Sequence, residues 1–408
     1  MDPKGWNMTN VAPGKTMATV SIVMPTRNRA RLLRFALDSA LKQTYEDIGV
    51  VVSDNFSSSE TREVVDSFQS PKIRYARTDQ ALSMPDSWEF ALHHASGDYI
   101  TYLTDDSYLL PDAISRAMEE LEDSGKNIVV WNQCTYFSQD WLEPERRNCL
   151  YISDNTLKSY LIRGEDSLRA LFDLGPCNQA PKMLNCLVHR GLVEKAIRGQ
   201  GRFFLPSCPD YASAIGLLQY AKEYVFIDRP LFVNGLFPQS IGATARFTGG
   251  KAVQDFATEF KDRSDISGLI GLDVLTPAVN IAGTLERMRA FYPNLQYPIN
   301  KERLVCDTVN DLVVHESNGA DVSQDWRTLE VYLSGQPSWL QDVAQRQKMR
   351  SKLMLVLKRV RRVPFWEYLE RLRGIHVFSG DQWGFSNIGE CGKFAAETIE
   401  KMAQAHPS

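Results

Sequence analysis

Short apolar runs alternate with stretches of helical periodicity over the first 130 residues. Residues 19–24 are mostly β-branched or aliphatic and end at Pro25, which predicts a buried strand. Leu33, Ala36, Leu37, Ala40 and Leu41 then recur at helical spacing and predict a helix with one apolar face. Residues 48–53 form a second apolar run, closed by Asp54-Asn55 and a serine-rich turn. Val64, Val65 and Phe68 mark a helix over 61–68, followed by a short strand over 72–76, a helix over 87–95 and a strand over 99–103. A helix from Pro111 and a strand over 127–131 complete a β-α-β-α alternation, which predicts a mostly parallel sheet with helices on both faces.

The pattern changes twice further on. Residues 132–235 are mixed: 141–147 is polar and loop-like, 184–189 reads as a strand, 207–221 as a helix opened by Ser207, and 224–234 as a strand interrupted at Pro230. From about residue 251 helical periodicity dominates with few strand signals. The expected organisation is a loose leader over 1–17, an α/β unit over 18–245 whose halves meet near 131, and a mainly helical domain over 246–408.

With 408 residues, 43% of them hydrophobic and 24% charged, the chain is long enough for two or three domains with real cores. A formal net charge of -4 argues against a dedicated nucleic-acid binder, which needs a basic face. Seven cysteines, an odd number without a C-x-x-C pair, predict a reduced, cytoplasmic setting with most of them small buried hydrophobes. Residues 1–17 lack the apolar core of a secretion signal, and 266–283, interrupted by Asp273 and Pro277, falls short of a bilayer span.

Candidate chemistry collects where the strands end. Asp105 and Asp106 close the apolar run over 99–103, and two adjacent carboxylates repel one another unless a hard divalent cation holds them together. The plain alternative is a turn that favours the next helix N-terminus. In a parallel sheet the ends at Pro25, Asp54 and Asp105 would line one edge, where ligands of such sheets collect. Common nucleotide and hydrolase signatures do not apply. Gly14-Lys15-Thr16 lacks the earlier glycine and preceding strand of a P-loop, and G-x-G-x-x-G after the first strand, G-x-S-x-G and H-E-x-x-H are absent.

Three stretches taken together are more specific: Ser21-Ile22-Val23-Met24-Pro25-Thr26-Arg27-Asn28-Arg29, Val52-Ser53-Asp54-Asn55-Phe56-Ser57, and Gly97-Asp98-Tyr99-Ile100-Thr101-Tyr102-Leu103-Thr104-Asp105-Asp106. In order and spacing they resemble the nucleotide-sugar half of family 2 glycosyltransferases with the GT-A fold, nearest the SpsA-like bacterial branch, over about residues 19–242. The resemblance implies a nucleotide-sugar half over 18–131 and an acceptor half over 132–245. It implies that Pro25, Thr26, Arg27, Asn28 and Asp54 hold the base and ribose. Asp105 would contact the ribose or cation, and Asp106 would ligate Mn²⁺ or Mg²⁺. Cys208-Pro209-Asp210-Tyr211 matches the place of the catalytic base, although Ser207-x-x-Asp210 is also a capping box with no catalytic duty.

The implied activity is inverting transfer of a sugar from a UDP- or dTDP-linked donor to the hydroxyl of a glycan or lipid-linked acceptor. Bacterial surface-polysaccharide or glycoconjugate synthesis is its implied setting. The chain departs from the family at Ser53, Arg27, Ser107 and Phe237, which stand where relatives place an acid, an aromatic, an acid and a histidine. Those departures keep a second expectation open, a non-catalytic nucleotide-sugar-binding scaffold with an eroded site.

Two accessory features carry expectations of their own. Over 352–373, Leu353, Leu355, Val356 and Val360 alternate with Lys358, Arg359, Arg361 and Arg362 before Pro364-Phe365-Trp366. A packed helix with a solvated basic face is the simpler expectation; the alternative is peripheral contact with an anionic membrane at its inner face. Trp88, Trp131 and Trp141 are expected either in the core or as an acceptor-stacking platform.

Overall fold

The computed structural model describes residues 19–175, 178–206, 208–247, 268–360 and 372–405. The leader, Cys177, Ser207 and 361–371 of the basic segment lie outside the described residues.

The five expected strands and four expected helices follow in order, with one short strand, β5, that the sequence did not suggest: β1 (Val20–Thr26), α1 (Ala30–Leu41), β2 (Ile48–Asp54), α2 (Ser59–Asp66), β3 (Ile73–Arg77), α3 (Met84–Leu92), β4 (Tyr99–Tyr102), β5 (Ser107–Leu109), α4 (Ala113–Ser124) and β6 (Ile128–Phe137). All seven residues of β1 are buried. Ile22 and Met24 pack with Leu33 and Leu37 of α1, while Val23 points into the opposite layer with Trp88 and Tyr102. A strand covered on both faces has no polar side to show, so its sequence reads as a continuous apolar run.

β1 lies at the centre of this half, parallel to β2 on one side and β4 on the other. β2 in turn pairs with β3, also in parallel. The register sets Thr26 opposite Asp54, and Leu103 N–H donates to Val23 O at 2.9 Å. Three parallel strands therefore end side by side.

The second half adds β7 (Cys149–Ser153), β8 (Ser159–Arg163), α5 (Gly164–Phe172), β9 (Cys186–His189), α6 (Arg190–Gln200), α7 (Pro209–Leu218), β10 (Glu223–Leu236) and α8 (Ile241–Phe247). β9 lies antiparallel between β4 and β6, and β10 runs parallel to β6 for most of its length. Pro230 does not break β10 as the sequence suggested. The strand continues with its register slipped on either side of the proline, which cannot donate to the ladder.

Beyond this unit come α9 (Pro277–Phe291), α10 (Lys301–Ser317), α11 (Ser323–Ser334) and α12 (Ser338–Val360), which share a core around Leu272, Val279, Leu304, Leu312 and Leu340. Helical periodicity does not run to the end of the chain. β11 (Ile375–Ser379) pairs antiparallel with β7, and α13 (Ile388–Ala405) packs its Ile388, Cys391 and Ile399 against Tyr108, Leu110 and Tyr136. Among the described residues eleven strands thus form one sheet, in the order β11-β7-β6-β9-β4-β1-β2-β3, with β5, β8 and β10 off this path. The expected class, a mostly parallel α/β sheet with an added helical region, is what the chain adopts.

The three tryptophans considered for acceptor stacking form no exposed platform. Trp88, Trp131 and Trp141 are all buried, Trp88 against Tyr102 and Phe204, and Trp141 against Phe137 and Phe247. Cys134, Cys149, Cys186 and Cys391 are buried small hydrophobes, as expected.

Candidate active site at the ends of three parallel strands

Asp105 and Asp106 follow β4 and are almost fully enclosed. Thr26 Oγ1, from the end of β1, donates to Asp105 Oδ2 at 2.7 Å. Arg29, from the loop after β1, places Nη1 3.0 Å from Asp105 Oδ1 and 3.1 Å from Asp106 Oδ2. Its Nη2 donates to Gln239 O at 2.7 Å. Ser240 Oγ donates to Asp106 Oδ2 at 2.5 Å. The two carboxylates converge on one guanidinium nitrogen, so the cation that holds them together here is Arg29.

Gly235 of β10 makes this convergence sterically possible. Its N–H donates to Asp106 O at 3.1 Å, and a Cβ at this position would run into that same carbonyl and the Phe237 ring. Burial raises the Asp105 carboxyl to about 6, with Asp106 adding in the same direction against the lowering effect of Arg29 and the Thr26 and Arg29 hydrogen bonds.

Asp54 sits at the neighbouring strand end and is fully buried. Its Oδ1 accepts from Ser57 N–H at 2.7 Å, an Asx-type turn. Its Oδ2 accepts from Tyr75 OH at 2.5 Å and Arg77 Nη1 at 2.9 Å. The loops after β1 and β2 are tied together by Asn28, whose N–H donates to Ser57 Oγ at 2.9 Å and whose Oδ1 accepts from Ser58 N–H at 3.1 Å. Asn28 holds φ at 54°, a left-handed conformation that asparagine tolerates better than most residues. Pro25 and Thr26 are buried, whereas Arg27 and Asn28 are exposed at the mouth.

Asp210 lies on the other flank. It is in the first turn of α7, whose N-cap is Cys208 with no capping side-chain bond; Ser207 of the expected capping box lies outside the described residues. Burial raises the Asp210 carboxyl above its ordinary value, opposed by the Lys182 charge and by the backbone N–H groups of Tyr211 and Asp210. Lys182 stands 4.9 Å from the Tyr211 ring centroid. The next residue, Met183, accepts from Tyr102 N–H at 3.1 Å, which places Lys182 beside the end of β4.

The structure therefore brings Thr26, Asp54, Asp105 and Asp106 to one sheet edge. It sets Arg27 and Asn28 at the rim and holds Asp210 beside Lys182. Sequence reasoning assigned no role to Arg29, Tyr75, Arg77, Ser240 or Phe56. Arg29 and Ser240 were visible as polar members of the Pro25 and Phe237 loops, but only the fold shows that both reach Asp106. Phe56 has a half-exposed ring, a φ of 58°, and the Arg77 guanidinium 5.2 Å from its centroid. Its conformation is costly for an aromatic side chain. Two departures from the family pattern are structural in role. Ser107 turns its hydroxyl to Thr104 Oγ1 at 2.8 Å and begins β5. Phe237 packs against Tyr136, 6.4 Å between ring centroids.

A cation would suit this cradle. Two carboxylate oxygens already face one cationic nitrogen, and a hard divalent ion commonly takes one or two carboxylates and draws its remaining ligands from substrate phosphates and water. Among the described residues no group of three or more His, Cys, Asp or Glu side chains forms a metal cluster.

Comparison with known proteins points the same way over part of the chain. The sequence model described as glycosyl transferase family 2 matches residues 21–177. A Campylobacter jejuni GalNAc(5)-diNAcBac-PP-undecaprenol beta-1,3-glucosyltransferase is 34% identical over 110 residues, 26% of this chain and 36% of that protein. An Escherichia coli UDP-Glc:alpha-D-GlcNAc-diphosphoundecaprenol beta-1,3-glucosyltransferase is 34% identical over 87 residues, 21% of this chain and 34% of that protein. The chain thus spans about a third of the length of these relatives. The solved structure of Staphylococcus aureus TarS 1-349 in complex with UDP-GlcNAc overlaps 78% of this chain and 92% of its own at 14% identity and a TM-score of 0.45. Residues 21–177, which contain the ends of β1, β2 and β4 with Thr26, Asp54, Asp105 and Asp106, are thus the part of the chain that matches glycosyl transferase family 2.

Proposed function

We propose that the protein is an inverting glycosyltransferase that moves a sugar from a UDP- or dTDP-linked donor to an acceptor hydroxyl in bacterial surface-polysaccharide or glycoconjugate synthesis. The observation that carries this reading is the convergence of Thr26, Asp54, Asp105 and Asp106 at three adjacent parallel strand ends within the family-matching segment. Relatives named for transfer to undecaprenol-linked diphosphate acceptors support a lipid-linked acceptor.

Asp54, with Pro25, Thr26, Arg27 and Asn28, would orient the base and ribose. Asp106 and Asp105 would hold Mn²⁺ or Mg²⁺, an ion that supplies neutralising charge at a leaving diphosphate. Arg29 has a second guanidinium nitrogen directed to Gln239 and can remain beside the diphosphate if it yields the carboxylates. Asp210 would accept the proton of the attacking hydroxyl at its carboxylate, and its raised affinity for protons suits that role. On α12, Met349, Leu353 and Val356 are exposed at helical spacing beside Arg346 and Lys352. That stripe supports peripheral contact with an anionic membrane, although no described helix is long and apolar enough to cross one.

A thermal-shift panel tests the reading directly. UDP, dTDP, GDP and ADP, each with and without Mn²⁺, should leave one uridine or thymidine ligand as the strongest stabiliser, by several degrees at saturation. Equal shifts from all four, or none, would remove the donor assignment. The non-catalytic scaffold is separated by donor hydrolysis without acceptor, which a scaffold does not perform.

Phe56 supplies the exposed aromatic face that the first loop lacks, so the nucleobase would stack there next to Asp54. Phe56→Gly should keep or raise the melting temperature, because glycine accepts this φ without strain. Nucleotide affinity should fall roughly tenfold, as expected for one lost base–aromatic contact of about 1–3 kcal/mol. Calorimetric titration reads the affinity, and an unchanged Kd would remove Phe56 from the base site.

A further inference from the structure

A cavity of about 720 Å³ lies between α8, α10 and α12, away from the acid pair. That volume falls within the range of small-molecule sites, roughly 300–1,000 Å³. One wall carries Asp307, Asn310 and Asp311 of α10; Arg246 and Phe247 come from the end of α8, and Arg350 from α12. Asp311 is 8% exposed, and burial raises its carboxyl to about 7 against the pull of Arg246 and the Ala278 N–H. Burial also raises Asp307, opposed by Arg303 and Arg246.

The charge in this cavity is mixed. Arg246 faces both Asp307 and Asp311, Arg303 is 3.8 Å from Asp173, and Arg146 is 3.2 Å from Glu143. An anion entering here would meet Arg146, Arg246 and Arg303 with carboxylates already nearby, and would face Asp307 and Asp311 directly. An uncharged polyhydroxylated ligand meets the opposite situation. Its hydroxyls can accept from guanidinium and amide N–H groups and donate to carboxylates in the same wall. Phe247, Val314, Met354 and Leu355 supply apolar surface for the C–H faces of a sugar ring.

The cavity is also tied to the site already described. Ser240, bonded to Asp106, immediately precedes α8, and Arg246 and Phe247 are the last residues of that helix. Seven residues span about 10 Å at the helical rise. His315 Nε2 contacts Ala245 O at 2.8 Å and Asn318 Nδ2 donates to Phe247 O at 2.6 Å, so α10 holds the far end of α8 in place.

We propose that this cavity is a saccharide-binding site that takes a short, uncharged segment of the acceptor glycan. The assignment of that glycan as acceptor rests on the glycosyltransferase reading; the binding itself does not.

The test uses the full chain and the Asn310→Ala/Arg350→Ala double variant, two exposed positions outside the strand-end site. Saturation-transfer NMR is run with cellobiose, laminaribiose and N,N′-diacetylchitobiose, and with inorganic pyrophosphate as the charged probe. At least one disaccharide should show saturation transfer to the wild type and lose most of it, tenfold or more in affinity, in the double variant. UDP-induced thermal stabilisation should be equal in both proteins. No disaccharide bound, binding unchanged in the variant, or pyrophosphate as the ligand lost in the variant would each overturn the proposal. A disaccharide bound in the cavity with no nucleotide stabilisation would keep the site and remove the glycosyltransferase reading instead.

Discussion

Asp210→Asn should leave nucleotide-sugar binding intact while turnover falls by about 10²–10⁴-fold, the range expected when a positioned general base is lost. Asparagine keeps the shape of the side chain, and the backbone N–H groups that now face the carboxylate can still donate to its amide oxygen. Burial disfavours the charged form of Asp210, so the neutral variant should be at least as stable as the wild type near neutral pH. That separates a catalytic loss from a folding loss. The pH profile provides a second readout. A base must be deprotonated to act, so the wild-type rate should rise with pH through an apparent pKa above the ordinary carboxylate range, and the residual activity of the variant should lack that limb. An Asn variant with wild-type turnover would place the base elsewhere.

Asp106→Ala should lower donor affinity by on the order of 100-fold in Mn²⁺, about 2.7 kcal/mol, and abolish the difference between titrations with and without the ion. The substitution removes the acceptor shared by Arg29 and Ser240, yet it also relieves the repulsion on Asp105. Its folding cost should therefore stay within about 1–3 kcal/mol, the scale of charged hydrogen bonds. Arg29→Met makes the contrast. It leaves two enclosed carboxylates without their guanidinium and should cost about 3–5 kcal/mol in denaturant unfolding when Mn²⁺ is absent. Mn²⁺ should restore much of that loss if the acid pair accepts the ion. An Asp106→Ala protein that binds donor equally well with and without Mn²⁺ at wild-type affinity would end the metal assignment.

Much of the strand-end site was legible because its determinants are local. The apolar runs of β1, β2 and β4 end at Pro25, Asp54 and Asp105, and parallel alternation alone requires those ends to share an edge. Arg29 was not legible in its role. Adjacent acids call for a cation, but which cation depends on whether a side chain 76 residues earlier can reach them. The same holds for Ser240, 134 residues away from Asp106. Ser107 is similar: the sequence shows it standing where relatives place an acid, and only the fold shows that β5 begins there and that its hydroxyl meets Thr104.

The carboxyl-terminal stretch shows the limit from the other side. Ile375–Ser379 is only five residues long, with every position half-buried, and its strand conformation depends on the open edge of β7. A segment that short has little intrinsic preference, and pairing decides its state. The tryptophans follow the same logic, since apolar surface and sugar-stacking surface have the same sequence signature until burial separates them.

By itself, then, the sequence determined the α/β alternation, the resemblance of residues 21–177 to glycosyl transferase family 2 and the acids at the strand ends, because hydrophobic period and turn chemistry act over a few residues. Tertiary structure alone decided that Arg29 and Ser240 complete the acid pair, that Gly235 makes room for it, and that a mixed-charge cavity lies at the far end of α8. Each of these depends on contacts between distant segments, where distance, burial and charge are set by packing.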